Sequence, residues 1–321
     1  MKANRICLTV YILFTVILVF YGKQRPEIHQ KLRIGTTIGV FGGLKGLTYE
    51  NLEKAKKAGV DYIEITLTGY VNGDNPIPDL ELKEIFKMVK KNADAAGIQI
   101  WSIHMPYGPD CDPSHTDEEI RLKTIDFYLN NLKIVSELKP KVILFHPSWR
   151  LGLNERQDRI AQFAKSSVVL NNAVKKNGAI MVVENLLGFE LLRNEKTERP
   201  LGRTVEEMIE IMSAVPSDVY AAIDMNHIKQ PERLINALGN RIKSVHICDG
   251  NGEKECHYLP AKGDNNWNLI LLALDQAAYE GPFMYEIRGS EIKTFEELKS
   301  CYDSLYNDYN AYLDKIRPFG N

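Results

Sequence analysis

The feature that most constrains this chain is the regular return of short apolar runs, each followed by a stretch with helical spacing. The runs cover residues 32–40, 62–66, 98–104, 141–146, 179–184, 219–224, 243–250 and 282–287. Several intervening stretches stop at a glycine, among them Gly59, Gly97, Gly178, Gly239 and Gly281, as helices commonly do. Strands that read as near-continuous apolar runs are buried on both faces, which is the mark of a parallel sheet covered by helices. Eight such units in 321 residues predict an α/β fold, a (β/α)8 TIM barrel rather than an open doubly wound sheet. No G-x-G-x-x-G follows the first run, which counts against a dinucleotide-binding fold.

Residues 1–31 read differently. Lys2 and Arg5 precede an almost wholly apolar run from 6 to 21, and a polar linker follows it. The run is a little short of the roughly 20 residues that span a bilayer and slightly long for a signal-peptide core. No small-residue cleavage site follows, because Phe20 and Tyr21 are bulky. The expectation is therefore an uncleaved signal anchor, with the chain held at a membrane by a transmembrane segment over 1–31 and the barrel over 32–321. The alternative is a cytoplasmic enzyme.

A net charge of −2 argues against wholesale nucleic-acid binding. Five cysteines with no C-x-x-C spacing do not form a disulfide framework. No motif encodes the oligomeric state, although barrels of this sort often pair as homodimers.

In a barrel the active site lies at the carboxyl ends of the strands. His104, His146, Glu184, Asp224, His246 and Glu286 end their runs there, with His227 three residues past Asp224 and His257 in the loop after the seventh run. Chance would scatter histidines through surface helices. Glu184 follows Met181-Val182-Val183, and Glu286 follows Phe283-Met284-Tyr285. A buried carboxylate is costly unless paired or metal-bound. The bland partners for such an acid are Arg288 and Lys262, and both cations are also expected to face a bound substrate. Imidazoles and carboxylates together suit a transition-type divalent ion. Tyr107, Trp149 and Trp267 are candidate walls.

These pieces resemble the xylose-isomerase-like barrel superfamily, which contains sugar phosphate isomerases and epimerases and also endonuclease IV. The matching stretches are His104-Met105-Pro106-Tyr107-Gly108, Phe145-His146-Pro147, Val183-Glu184-Asn185, Asp224-Met225-Asn226-His227, His246-Ile247-Cys248-Asp249, His257-Tyr258-Leu259-Pro260 with Gly263-Asp264 and Trp267, and Tyr285-Glu286. The resemblance implies that Glu184, Asp224, His246 and Glu286 hold one divalent ion (Mn, Co, Mg or Zn). It implies that His227 and His257 contact substrate or a further metal, and that His104 and His146 line the pocket. It departs from the family where Ala261-Lys262 stand in place of a Gly-rich run, and where Glu255-Cys256-His257 only approximates the Asp-x-His pair of the endonuclease branch.

The expected chemistry is sugar isomerisation or epimerisation, with Glu184 and Glu286 as base and acid on either side of a carbon next to a carbonyl. The expected partner is a small carbohydrate. Competing expectations are an endonuclease IV-like phosphodiesterase, a dehydratase or lyase, and a carbohydrate-binding relative.

Overall fold

The strand-forming runs close on one another in sequence order. The computed structural model describes residues 31–149, 155–187, 201–250 and 254–316, and the unit that begins at Leu32 carries the barrel. Its strands are β1 Ile34–Thr37, β2 Val60–Thr66, β3 Gln99–His104, β4 Val142–Phe145, β5 Ile180–Glu184, β6 Tyr220–Asp224, β7 Ile242–His246 and β8 Phe283–Tyr285. All pair in parallel in the order β7-β6-β5-β4-β3-β2-β1-β8. The last seam is drawn shut just past β7, where the Ile247 amide donates to the Met284 carbonyl and the Glu286 amide to the Ile247 carbonyl. Eight parallel strands with helices between them make a (β/α)8 barrel.

The helices are α1 Tyr49–Lys57, α2 Asp79–Ala96, α3 Glu118–Val135, α4 Arg156–Lys176, α5 Val205–Ala214, α6 Pro231–Leu238, α7 Trp267–Gln276 and α8 Glu296–Ile316. Their starts follow capping chemistry: Thr48, Thr204 and Asn266 accept from the amides of Asn51, Glu207 and Leu269. At α3 the capping residue is Asp117. Asp117 accepts from the Glu119 and Ile120 amides, and the Thr116 hydroxyl turns to Glu155. The first strand is shorter than its apolar run, because residues Ile38–Phe41 coil into a 3-10 turn that Gly42 ends in the left-handed region.

Alternation along the strands fixes which side chains face the barrel axis. Val142, Leu144, Val182 and Ala222 form a small cluster separate from the main core. Two residues further along the same strands stand His146, Glu184 and Asp224. The opposite faces, with Ile143, Phe145 and Val183, join Phe163 and Leu170 of α4 in the main core. Apolar burial on that face holds the frame, at roughly 25 cal/mol per Å² removed from water.

One expectation is corrected here. Among the described residues no helix is long and apolar enough to cross a membrane, against the expected transmembrane segment. The run from 6 to 21 that prompted it lies outside the described residues.

Candidate metal centre

Strand register sets the centre. Asp224 lies opposite His246 across β6 and β7, and Glu184 lies opposite Ala222 across β5 and β6. Glu184, Asp224, His246 and Glu286 each bring one ligand atom within 4.8 Å of the others. His246 Nδ1 stands 2.8 Å from Glu184 Oε1 and 2.8 Å from Glu286 Oε2. The four residues that the resemblance implied as ligands therefore lie together. Two further groups adjoin them: His104, His146 and Glu184 on one side, and Asp224, His227 and His257 on the other. Glu184 and Asp224 belong to two groups each.

Three of the histidines are held by a backbone carbonyl on Nδ1. Nδ1 of His104 contacts the Met105 carbonyl, Nδ1 of His227 the Asn185 carbonyl and Nδ1 of His257 the Glu286 carbonyl, each at 2.9 Å. A ring nitrogen bonded to a carbonyl carries a proton, which fixes the ring and aims Nε2 inward. Nε2 of His104 and of His146 reach Glu184 Oε2 at 3.2 and 3.0 Å, and Nε2 of His227 reaches Asp224 Oδ2 at 3.5 Å. His257 adopts φ 50°, a conformation unusual for a bulky residue and one that clusters at functional sites.

Asp224 is clamped on one oxygen. Its Oδ1 accepts from the Asn226 amide at 2.6 Å and from the Cys248 thiol at 3.3 Å. Asn185 ties down its backbone on both sides. Oδ2 is buried with no hydrogen-bond partner, as a metal ligand would be before its ion arrives.

The electrostatics follow from burial and proximity. Burial opposes charge on His246, but Glu286, Glu64 and Glu184 raise its pKa well above the usual imidazole range. Burial pushes the Glu184 carboxyl up, yet His246, His104 and His146 hold it well below the usual range. Burial likewise opposes the ionised form of Glu286, and His246 pulls its pKa down. Asp224 moves the other way: burial raises its pKa, and His227 offsets this only in part. Among the described residues no guanidinium or ammonium pairs with any of these acids. Oxygen and imidazole donors in this number fit a borderline or hard divalent ion such as Mn, Co, Zn or Mg.

An inner pocket of about 90 Å³ opens over the centre, lined by Glu184 and Glu286 with His104, His146, Tyr107, Trp149, His227, Glu255 and His257. Tyr107 stacks on His146 and on Trp149, with centroids 4.6 and 5.8 Å apart. A wider cleft of about 350 Å³ continues past Tyr107, His257 and Glu286 toward Thr37, Thr66, Thr68, Tyr70 and Arg288. Arg288 lines that cleft while its guanidinium donates to the Glu255 carbonyl at 2.9 Å. Lys262 stands apart from the pocket. Its ammonium pairs with Glu291 Oε2 at 3.1 Å and is half exposed. Trp267 is no wall either, because its indole donates to Asp249 Oδ2 at 2.9 Å beneath the loop. Asp249 organises that loop, also accepting from Gly250, Ala261 and Asn265. A Cβ on Gly263 would meet Asp249 Oδ1 and the Gly250 carbonyl at 2.4 Å each, so that approach needs glycine.

Sequence reasoning missed Glu64. It lies inside β2, fully buried, with Oε1 2.9 Å from His246 Nε2. The available signal was a carboxylate set between Ile63 and Ile65 in a strand.

Comparison with known proteins agrees with the barrel. The sequence model of one family, described as xylose isomerase-like TIM barrel, matches residues 52–304. An uncharacterised protein of Methanocaldococcus jannaschii, MJ1614, is 24% identical over 207 residues, which cover 64% of this chain and 76% of that one. Among solved structures, a D-tagatose 3-epimerase-like protein superposes with a TM-score of 0.70 at 20% identity, covering 88% of this chain and 100% of the other. An L-ribulose 3-epimerase gives 0.68 at 14% identity, with 90% and 99% covered. A 3-keto-D-glucoside 4-epimerase of E. coli gives 0.63 at 18%, with 86% and 100% covered.

Proposed function

We propose, from the premise that the chain belongs to the xylose isomerase-like TIM barrel family, that it is a divalent-metal-dependent sugar isomerase or epimerase. The observation that carries this reading is the pair Glu184 and Glu286. Each places a carboxylate oxygen 2.8 Å from the same His246 nitrogen, in a ligand set with no competing guanidinium or ammonium among the described residues. The similar solved structures bear the names of sugar epimerases, which supports the same chemistry.

Glu184, Asp224, His246 and Glu286 would hold the ion. A divalent ion there supplies Lewis-acid polarisation of a carbonyl, which acidifies the adjacent C–H. Glu184 and Glu286 are both kept ionised by their histidine neighbours, so either carboxylate can accept a proton from that carbon. Return of the proton to the neighbouring carbon isomerises the sugar. Delivery of a different proton to the opposite face of the same carbon, by the other carboxylate after it has taken one up from solvent, epimerises it, while the first carboxylate keeps the proton it removed. His227 and His257 present Nε2 to the substrate hydroxyls, with their rings fixed through Nδ1. Tyr107 and Trp149 cover the sugar face and exclude water.

The test is solvent deuterium exchange. The metal-loaded chain, mixed with a panel of ketoses in D2O, should incorporate deuterium next to the carbonyl by NMR. Glu184→Gln and Glu286→Gln should each slow this by about 10²–10⁴-fold. No exchange with any aldose or ketose would remove the reading.

A second reading is phosphodiester hydrolysis of the endonuclease IV kind. It is favoured by the three adjoining ligand groups, which share Glu184 and Asp224 as potential bridges, and by Glu255 Oε1 at 3.6 Å from His227 Nε2. Such clusters clamp both oxygens of an in-line displacement. Two or three ions per chain together with cleavage of bis(p-nitrophenyl) phosphate would select it over the sugar reading.

A further inference from the structure

His246 differs from the other inward-facing histidines. His104, His227 and His257 lean on backbone carbonyls through Nδ1. His246 instead turns Nδ1 toward Glu184 and Glu286 and leaves Nε2 facing Glu64 Oε1 at 2.9 Å. Glu64 Oε1 and His246 Nε2 are both buried and neither has a hydrogen-bond partner, so their 2.9 Å approach is a charge contact rather than a formed hydrogen bond. The second oxygen of Glu64 is fixed from the other side: Ser102 Oγ donates to Oε2 at 2.5 Å. Ser102 is the residue directly opposite Glu64 in the β2–β3 register, next to a register shift at Ile63 and Glu64. The three residues form a line from β3 through β2 to β7, across the barrel interior and beneath the centre. All three are completely shielded from solvent.

We infer that Glu64, oriented by Ser102, is a positioning residue that holds the His246 ring from behind and directs Nδ1 to a divalent ion. A carboxylate on the far nitrogen of a ligating imidazole fixes its tautomer and raises its donor strength. The other acids near His246 cannot take this role, because they lie on the Nδ1 side and offer their own oxygens to the ion. The inference rests on the metal-site reading above and concerns a residue outside the ligand set.

The experiment uses the full chain stripped of metal by a chelator, with Co(II) alone as probe. Affinity is read by competition with a chromophoric chelator, and ligand geometry by the visible absorption of the Co(II) complex. Glu64→Gln keeps the shape of the side chain and an acceptor but removes its charge. It should weaken Co(II) binding by about 10- to 100-fold and shift the absorption bands, while the thermal midpoint of the metal-free protein stays near that of the wild type. Ser102→Ala should weaken binding severalfold, and less than Glu64→Gln. A merely structural role for Glu64 would lower the midpoint and leave affinity and spectrum alone. An unchanged affinity and spectrum in folded Glu64→Gln overturns the inference while leaving the metal site standing. Should Glu64→Gln not fold, an unchanged Ser102→Ala overturns it. Failure of the wild type to bind Co(II) removes the metal site and this role with it.

Discussion

Two clusters of buried charge sit in this barrel, and they are built on opposite plans. Beside α3 and α4, Asp112 is nearly fully buried and meets Arg159 at 2.9 Å. Its other oxygen accepts from the Ser114 amide and hydroxyl. Arg121 binds Glu118 and the Ser166 hydroxyl, and Ser166 in turn donates to the Pro113 carbonyl. There the acids already have a permanent cation. On the barrel axis, among the described residues, the cationic partners available to Glu64, Glu184, Asp224 and Glu286 are imidazoles. Imidazoles can give up a proton and bind an ion, whereas guanidiniums cannot. The contrast separates scaffold from candidate site: a buried acid matched by arginine is satisfied, and buried acids matched by histidines form a donor set of the kind that suits a divalent cation.

Substitutions sharpen the contrast. The largest effect should come from Glu184→Gln, which removes the carboxylate that two of the candidate ligand groups have in common. Divalent-ion affinity measured by calorimetry should fall more than 100-fold, on the general scale for ligand rather than supporting residues, while circular dichroism shows a folded barrel. Retained affinity would break the distinction between the clusters. Asp112→Asn should do the reverse. Leaving Arg159 buried without its partner should lower stability by about 3 kcal/mol in urea unfolding, with ion affinity unchanged. An effect on affinity would mean that the two clusters are coupled.

A third prediction uses pH. His246 has a folded pKa raised well above the usual range, mainly by Glu286 and Glu64, against burial. In metal-free protein its contribution to stability is fully present below the unfolded imidazole value of about 6.5. It is lost as pH rises through the folded pKa. Ion binding must displace that proton. Metal-free stability should therefore decline with rising pH while ion affinity climbs. An affinity independent of pH between 6 and 9, roughly the window around that unfolded value, would contradict this.

The smallest effect is expected at Glu118, whose carboxyl Arg121 holds at about 2. Its contribution is present above the ordinary carboxylate pKa and lost as pH falls through the folded value of about 2. Because Glu118 is solvent-exposed, Glu118→Gln should raise the acid-unfolding midpoint only slightly. A large shift would mean that this outer pair supports more of the cluster than its exposure allows.

Much of the frame was legible because parallel barrel strands are apolar on both faces and end at the site. That is why Glu184, Asp224, His246 and Glu286 stood out as polar residues closing apolar runs. Glu64 did not, because Asp61, Tyr62 and Thr66 make β2 read as an ordinary mixed strand. Which of its residues faces the axis depends on the register shift at Ile63 and Glu64, and no linear pattern reveals that. Lys262 misled for a similar reason. Its loop neighbours the site in sequence, but its partner Glu291 comes from beyond β8. Trp267 was legible as a large aromatic near the mouth, and only the fold shows its indole committed to Asp249.

The most direct test of the account is the number of divalent ions per chain, measured by elemental mass spectrometry on metal-loaded wild type and on Glu184→Gln. The account predicts at least one Mn, Co, Zn or Mg in the wild type and its loss from the variant. A wild-type chain that holds no ion under any loading condition would contradict it.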